Sequence, residues 1–209
     1  MKIARLFVVL LALVLTASLV AQDNAAKEKF NAGIKAKLAK NLAEAEKQFL
    51  AATAAFPQYK EAWLELGTVR FDLKKAAPAE EAFQKAIAID PKYKQAYFNL
   101  GMVQLKAKKY ALAETSLLKS LELETSDAQT MKALGQCYLL QKNYDKSIEY
   151  YKKYNTGNSV DAESQYNMAQ AYKEKGDLAG AEQAYQAAVR IDPKFAQAYF
   201  NLGNLLAGQ

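Results

Sequence analysis

The chain of 209 residues contains no histidine. Imidazole is the usual general base, triad member and zinc ligand, so His-based acid–base, triad and metal chemistry are all excluded. Neither a G-x-x-x-x-G-K-[ST] loop nor a G-x-G-x-x-G loop is present, which removes the common phosphate cradles. Cysteine occurs once, at Cys137, so no internal disulfide can form and the fold must stand on packing. There is no N-x-S/T sequon, which leans towards a bacterial source for an exported chain. Charge of one sign does not dominate: 28 Lys and Arg face 22 acids, a spread excess of +6 that does not argue for nucleic acid. Glu61, Glu65 and Asp72 fall on one helix face, a pattern compatible with a glycosidase or cation site. A solvated acidic face explains them equally well. The inventory therefore points to no enzyme, no cofactor and no metal.

The first residues form a separate segment. Lys2 and Arg5 precede an apolar run from Leu6 to Leu15, followed by the smaller Thr16, Ala17 and Ser18. This order describes a secretory signal peptide over 1–21, cut after Ala21 to leave Gln22. The competing reading is a retained anchor, but 6–21 falls short of the roughly 20 apolar residues that span a bilayer. No cysteine closes the run as a lipoprotein would require. Removing Lys2 and Arg5 leaves an excess of +4. The expected location is periplasmic or secreted, with membrane contact only in transit. Cys137, beside Gly135, is expected to be an inert, buried thiol.

Everything after the leader, 22–209, repeats itself. Trp63, Leu66, Gly67, Ala79, Phe83, Ala86 and Pro91 recur in type when the frame moves by 34 residues. A small residue returns at Gly33, Gly67, Gly101, Gly135, Ala169 and Gly203. A ring or large aliphatic returns at Phe49, Phe83, Leu117, Tyr151 and Tyr185. This W-x2-L-G … A-x3-F … P spacing resembles the tetratricopeptide repeat, a helix–turn–helix unit. The frames are 26–59, 60–93, 94–127, 128–161 and 162–195, with a half repeat at 196–209. The resemblance implies an all-α fold, a right-handed α-solenoid of helical hairpins whose neighbours bury one continuous core.

Turn chemistry agrees with those frames. Lysine marks the end of each first helix, at Lys40, Lys74, Lys108, Lys142 and Lys175, where cations complement the helix dipole. The same row offers a weak attraction for an anionic partner. Ser126 or Asp127 is expected to cap the fourth repeat's first helix. At the next junction, Asn155–Ser159 is rich in helix breakers. Tyr154 there takes the place of Ala52, Ala86 and Ala188, and is expected to push neighbours apart or turn to solvent.

In tetratricopeptide proteins the first helices line a groove that holds a peptide, and the resemblance transfers that role by repeat phase. The fifth place of each frame gives Phe30, Leu64, Phe98, Lys132, Tyr166 and Phe200. The ninth gives Ile34, Thr68, Met102, Gln136, Gln170 and Asn204. Rings in such a stripe also serve simply as core. The sixth place gives Asn31, Asn99, Asn167 and Asn201, interrupted by Glu65 and Ala133. Asn is a poor helix former, and its amide both donates and accepts. The row resembles the asparagine ladder of tetratricopeptide-bearing O-glycosyl transferases, while a purely structural Asn-Leu-Gly consensus remains open. Lys132, Gln136 and Asn167 resemble half of the clamp that binds chaperone C-termini. Gln197 and Asn201 replace its final cations, so the clamp is not carried over. The implied function is a non-catalytic scaffold for peptide segments of partner proteins. Self-association through the half repeat, or service as the recognition arm of a longer protein, are the alternatives.

Overall fold

The computed structural model describes residues 22–156 and 161–208, so the leader at 1–21 and most of the breaker-rich junction lie outside the described residues. No strand occurs among the described residues. The helices are α1 (22–38), α2 (Leu42–Ala55), α3 (Lys60–Asp72), α4 (Ala76–Ile89), α5 (Lys94–Lys106), α6 (Tyr110–Leu123), α7 (Ala128–Leu140), α8 (Tyr144–Asn155), α9 (Ala162–Lys175), α10 (Leu178–Ile191) and α11 (Ala196–Ala207). Ala, Leu, Glu, Lys and Gln fill them, with apolar residues at three- and four-residue steps, so each has helix propensity and one face to bury. First helices open at Lys60, Lys94, Ala128, Ala162 and Ala196, one period apart. The fold is all-α, of the helical-hairpin solenoid class. The residues up to Asn99 and those from Leu100 onwards form two compact units.

In the first unit, α1 and α2 close on the Phe49 ring. A Cβ built on Gly33 would lie 2.6 Å from Cε1 of Phe49, so only hydrogen fits there. Phe49 is fully buried with Ala45, Leu66, Val69 and Ala82, and Phe30, Ile34 and Trp63 pack against this cluster. Burying such a ring contributes about 2–3 kcal/mol. The α3–α4 hairpin repeats the arrangement with Gly67 and Phe83, again at 2.6 Å. Trp63 donates its indole N–H to the Pro57 carbonyl at 2.8 Å, which ties the inter-repeat turn to the following helix.

In the second unit, Leu117 lies on Gly101 and Tyr151 on Gly135. Three small polar side chains buried here are bonded: Ser116 to Gln104 at 2.8 Å, Ser147 to the Gly135 carbonyl at 2.9 Å, and Ser120 to Thr130 at 3.2 Å. Tyr166, Ala169, Ala181, Ala184, Tyr185, Ala188, Ala198 and Leu205 form its last cluster. Cys137 is fully buried, and burial raises its thiol pKa. Asp127 precedes α7 in an extended conformation, and its carboxylate accepts from the Thr130 hydroxyl rather than capping a backbone N–H.

For Tyr154, one of the two expected outcomes is ruled out. It does not turn to solvent: it is 3% exposed, and its hydroxyl donates to Asp161 Oδ2 at 2.6 Å. A tyrosine can be buried in a place built for alanine when its polar tip finds an acceptor, and Asp161 supplies one.

The turns closing the first helices show a feature that dipole complementarity does not explain. Lys40, Lys74, Lys108 and Lys142 all adopt left-handed backbone, with φ of 59°, 64°, 60° and 62°. In the last hairpin the same phase is held by Gly176, with φ of 91°. In each case the next amide reaches back five residues, as in Lys75 to the Arg70 carbonyl and Asp177 to that of Tyr172, at 2.8 and 2.9 Å. This is the Schellman closure, which needs left-handed backbone at one residue and prefers glycine there.

Candidate functional site

The first-helix residues that the repeat phase nominates do not share one environment. In the first unit, Asn31 is exposed, while Phe30 is half-buried between the rings of Phe49 and Tyr59, at centroid distances of 5.6 and 5.0 Å. Phe98 is also half-buried. Asn99 donates to Thr68 Oγ1 at 3.4 Å and accepts from Gln95 at 3.2 Å, so part of its amide serves neighbouring side chains. Glu65, which interrupts the asparagine row, pairs with Lys37 at 2.6 Å. Glu61, Glu65 and Asp72 belong to no metal-holding cluster among the described residues.

In the second unit, Gln136 is exposed and Met102 half-buried. Lys132 is engaged internally. Its ammonium lies 2.9 Å from Asp161 and 2.8 Å from Glu163, and 5.8 Å from the centroid of the Tyr154 ring. Burial alone would lower the Lys132 pKa, but the two carboxylates outweigh it and the pKa is raised. The Asp161 pKa is lowered because the Tyr154 hydroxyl, the Ser164 amide and Lys132 together overcome its desolvation.

Tyr166 is 5% exposed, with its ring between Tyr185 at 5.7 Å and Phe195 at 5.1 Å. Its hydroxyl accepts from Gln170 at 2.9 Å and from Asn201 at 2.8 Å. Three nominated residues thus form one hydrogen-bonded set anchored in the core, and only their outer edges face solvent. Phe200 is 67% exposed, whereas Asn167 is half-buried. Near Asn167 the buried Tyr151 hydroxyl lacks a well-formed hydrogen bond. Its pKa is pushed up by desolvation.

Beside the Tyr166 set a cleft of about 530 Å3 opens, lined by Ala162, Glu163, Tyr166, Asn167, Asp192, Phe195 and Gln197. Amides at Asn167 and Gln197 offer donors and acceptors, Asp192 a carboxylate, and Phe195 and Tyr166 aromatic surface. The cleft thus brings a few polar groups together on an aromatic wall. Asp192 and Phe195 stand outside the repeat phases that nominate the other residues. Their signal is in the inter-repeat turns, where Asp90 and Tyr93 hold the same places three periods earlier.

Comparison with known proteins places these features in context. A family model of the TPR repeat matches residues 169–209. A second model, described as the cilia and flagella-associated protein 70 middle TPR-like domain, matches residues 35–170. No curated protein matches the chain. Among solved structures, MamA residues 41 to the end from Desulfovibrio magneticus RS-1 is similar with a TM-score of 0.77 and 20% identity, covering 82% of this chain and 97% of that one. YrrB, described as a TPR protein with an unusual peptide-binding site, has a TM-score of 0.75 and 20% identity, covering 83% and 89%. A tetratricopeptide repeat protein from Parabacteroides merdae ATCC 43184 has a TM-score of 0.77 and 16% identity, covering 87% and 72%. At these identities the likeness speaks for the fold.

Proposed function

We propose a function from one premise: the chain belongs to the tetratricopeptide-repeat family. Its role is that of a non-catalytic scaffold that holds peptide segments of partner proteins against its first helices, outside the cytoplasm. The observation that carries this reading is the cleft beside Tyr166, where amide, carboxylate and aromatic groups meet at a first-helix surface. The Tyr166–Gln170–Asn201 set supports it by holding the wall of that cleft in one arrangement. Family resemblance and the first-helix asparagines at 31, 99, 167 and 201 support the same role.

Photo-crosslinking tests it. A crosslinking side chain at exposed Gln136 on a first helix should capture polypeptide, and one at exposed Leu112 on a second helix should not. Equal capture from both sites, or none from Gln136, would refute the assignment. Export is part of the proposal and rests on the leader at 1–21. Mass spectrometry of the extracytoplasmic protein should give a chain starting at Gln22; an intact Met1 start would remove the leader reading.

A second reading, pairing of copies through α11, has its own observation. Tyr199, Phe200 and Leu206 are 48%, 67% and 49% exposed on that helix. Sedimentation of Phe200→Glu against wild type separates the two, since only the pairing reading expects a change in mass.

A further inference from the structure

The two units contain the same inter-repeat turn, once with a cation seated in it and once without. In the first unit, Lys60 opens α3 and places its ammonium 2.6 Å from Asp90 Oδ2. The ammonium also lies 5.0 Å from the Tyr93 ring centroid and 4.0 Å from Glu61. The other oxygen of Asp90 accepts the Lys92 backbone amide at 2.9 Å, which fixes the carboxylate. The ammonium depresses the Asp90 pKa, and Asp90 with Glu61 raises that of Lys60, as expected for a matched pair.

Three periods later the turn is rebuilt. Asp192 stands for Asp90, Phe195 for Tyr93 and Glu163 for Glu61, with Pro193 for Pro91. Asp192 Oδ1 accepts the Lys194 amide at 2.9 Å, the same fixing bond. The backbone matches too: the Phe195 amide donates to the Asp192 carbonyl at 3.1 Å, as Tyr93 does to Asp90 at 3.0 Å. One residue differs in kind. Where Lys60 opens α3, Ala162 opens α9. The space left by the lysine side chain belongs to the cleft of about 530 Å3, on whose wall Ala162, Asp192 and Phe195 all lie. Among the described residues no cation is bonded to Asp192. Glu163 is turned to Lys132, which leaves Asp192 and the Phe195 ring as the open part of the seat.

We propose that this cleft is a seat for the side-chain ammonium of a lysine in the bound polypeptide, the partner supplying in trans what Lys60 supplies within the chain. A carboxylate fixed by a backbone amide gives a charge-assisted hydrogen bond, and an adjacent ring adds a cation–π contact. Asn167 and Gln197 flank the seat and are placed to bond the backbone of the segment that carries the lysine. This specificity rests on the peptide-binding role proposed above.

The test compares two acetylated, amidated nine-residue peptides of Gly, Ser and Ala, one with a central lysine and one with norleucine. Both are titrated at low ionic strength into 15N-labelled protein. The lysine peptide should shift the Asn167, Lys194 and Phe195 amides and bind about three- to tenfold more tightly, the size of an exposed charge-assisted contact. Asp192→Asn should remove that preference. Ala162→Lys, which restores the internal ammonium, should remove it as well, and its unchanged spectrum elsewhere shows that the fold is intact. Equal binding of the two peptides at this cleft would overturn the seat while leaving the peptide-binding role standing. No shift with either peptide would overturn the seat, and Gln136 crosslinking then decides the wider role independently. A lysine preference that survives Ala162→Lys would also overturn it.

Discussion

Gly67 and Phe83 interlock: a Cβ on the glycine would come within 2.6 Å of the ring edge. The ring is 1% exposed and has no free side to move towards. Gly67→Ala should therefore destabilise the chain by about 1–3 kcal/mol through overpacking, even though alanine is the better helix former. Gly203 holds the same phase in α11 but has nothing within 4 Å of a built Cβ. There the propensity term acts alone, and Gly203→Ala should stabilise by up to about 1 kcal/mol. Urea midpoints of the two variants should move in opposite directions; a common direction would contradict the interlock.

The left-handed lysines give a second test. A side chain at positive φ costs roughly 1–2 kcal/mol, part of which a glycine returns as unfolded-state entropy. Lys108→Gly should raise the melting temperature by the equivalent of up to about 1 kcal/mol, following the pattern that Gly176 already shows. Gly176→Val should lower it by more, because a β-branched residue fits this region worst. Thermal melts that rank the three chains in any other order would count against the turn assignment.

Acid should loosen the α2–α3 contact. The Glu46 pKa is lowered, chiefly by the Lys75 hydrogen bond at 2.6 Å with Arg70 at 3.3 Å assisting, against its desolvation. A carboxyl with a depressed folded pKa stabilises above its unfolded pKa, about 4.3, and that stability is lost as pH falls through the folded value. Glu46→Gln should be less stable than wild type at pH 7, and the gap should be narrower at pH 3. Urea midpoints at the two pH values measure it; a constant gap would mean that the ion pair contributes nothing to folding.

Cys137 should behave as a packing residue. It is fully buried, desolvation raises its thiol pKa, and Gln141 donation offsets only part of that. A thiol reagent at pH 8 should label it at the rate of unfolding, not at the rate of an exposed cysteine. Immediate labelling of the native protein would show that the helix pair around it opens.

The period and the residues that set it were legible in the sequence because they repeat: Gly33, Gly67 and their rings recur in step with the helices they join. What escaped was backbone conformation and whatever differs between copies. Lysine at a helix end suggests dipole complementarity, and only the φ values reveal that Lys40, Lys74, Lys108 and Lys142 stand where glycine is favoured. Tyr154 read as a misfit because its acceptor, Asp161, lies across a junction whose geometry the spacing does not encode. Tyr166, Gln170 and Asn201 were nominated as separate contacts, whereas their mutual hydrogen bonds are a fact of three dimensions. The Asp192 seat shows the same principle: a consensus describes what is common, while a site emerges where one copy drops a residue that another keeps.

The notch-and-ring pairing is always made over the same short distance, from Gly33 to Phe49 and from Gly67 to Phe83. Each hairpin's defining contact thus closes a loop of under twenty residues, which forms quickly because little chain must be brought together. A nascent chain can bring one hairpin together early, but the Phe49 ring is enclosed only once Leu66, Val69 and Ala82 of the next hairpin arrive. Damage to a single notch should therefore delay its neighbour as well as its own copy.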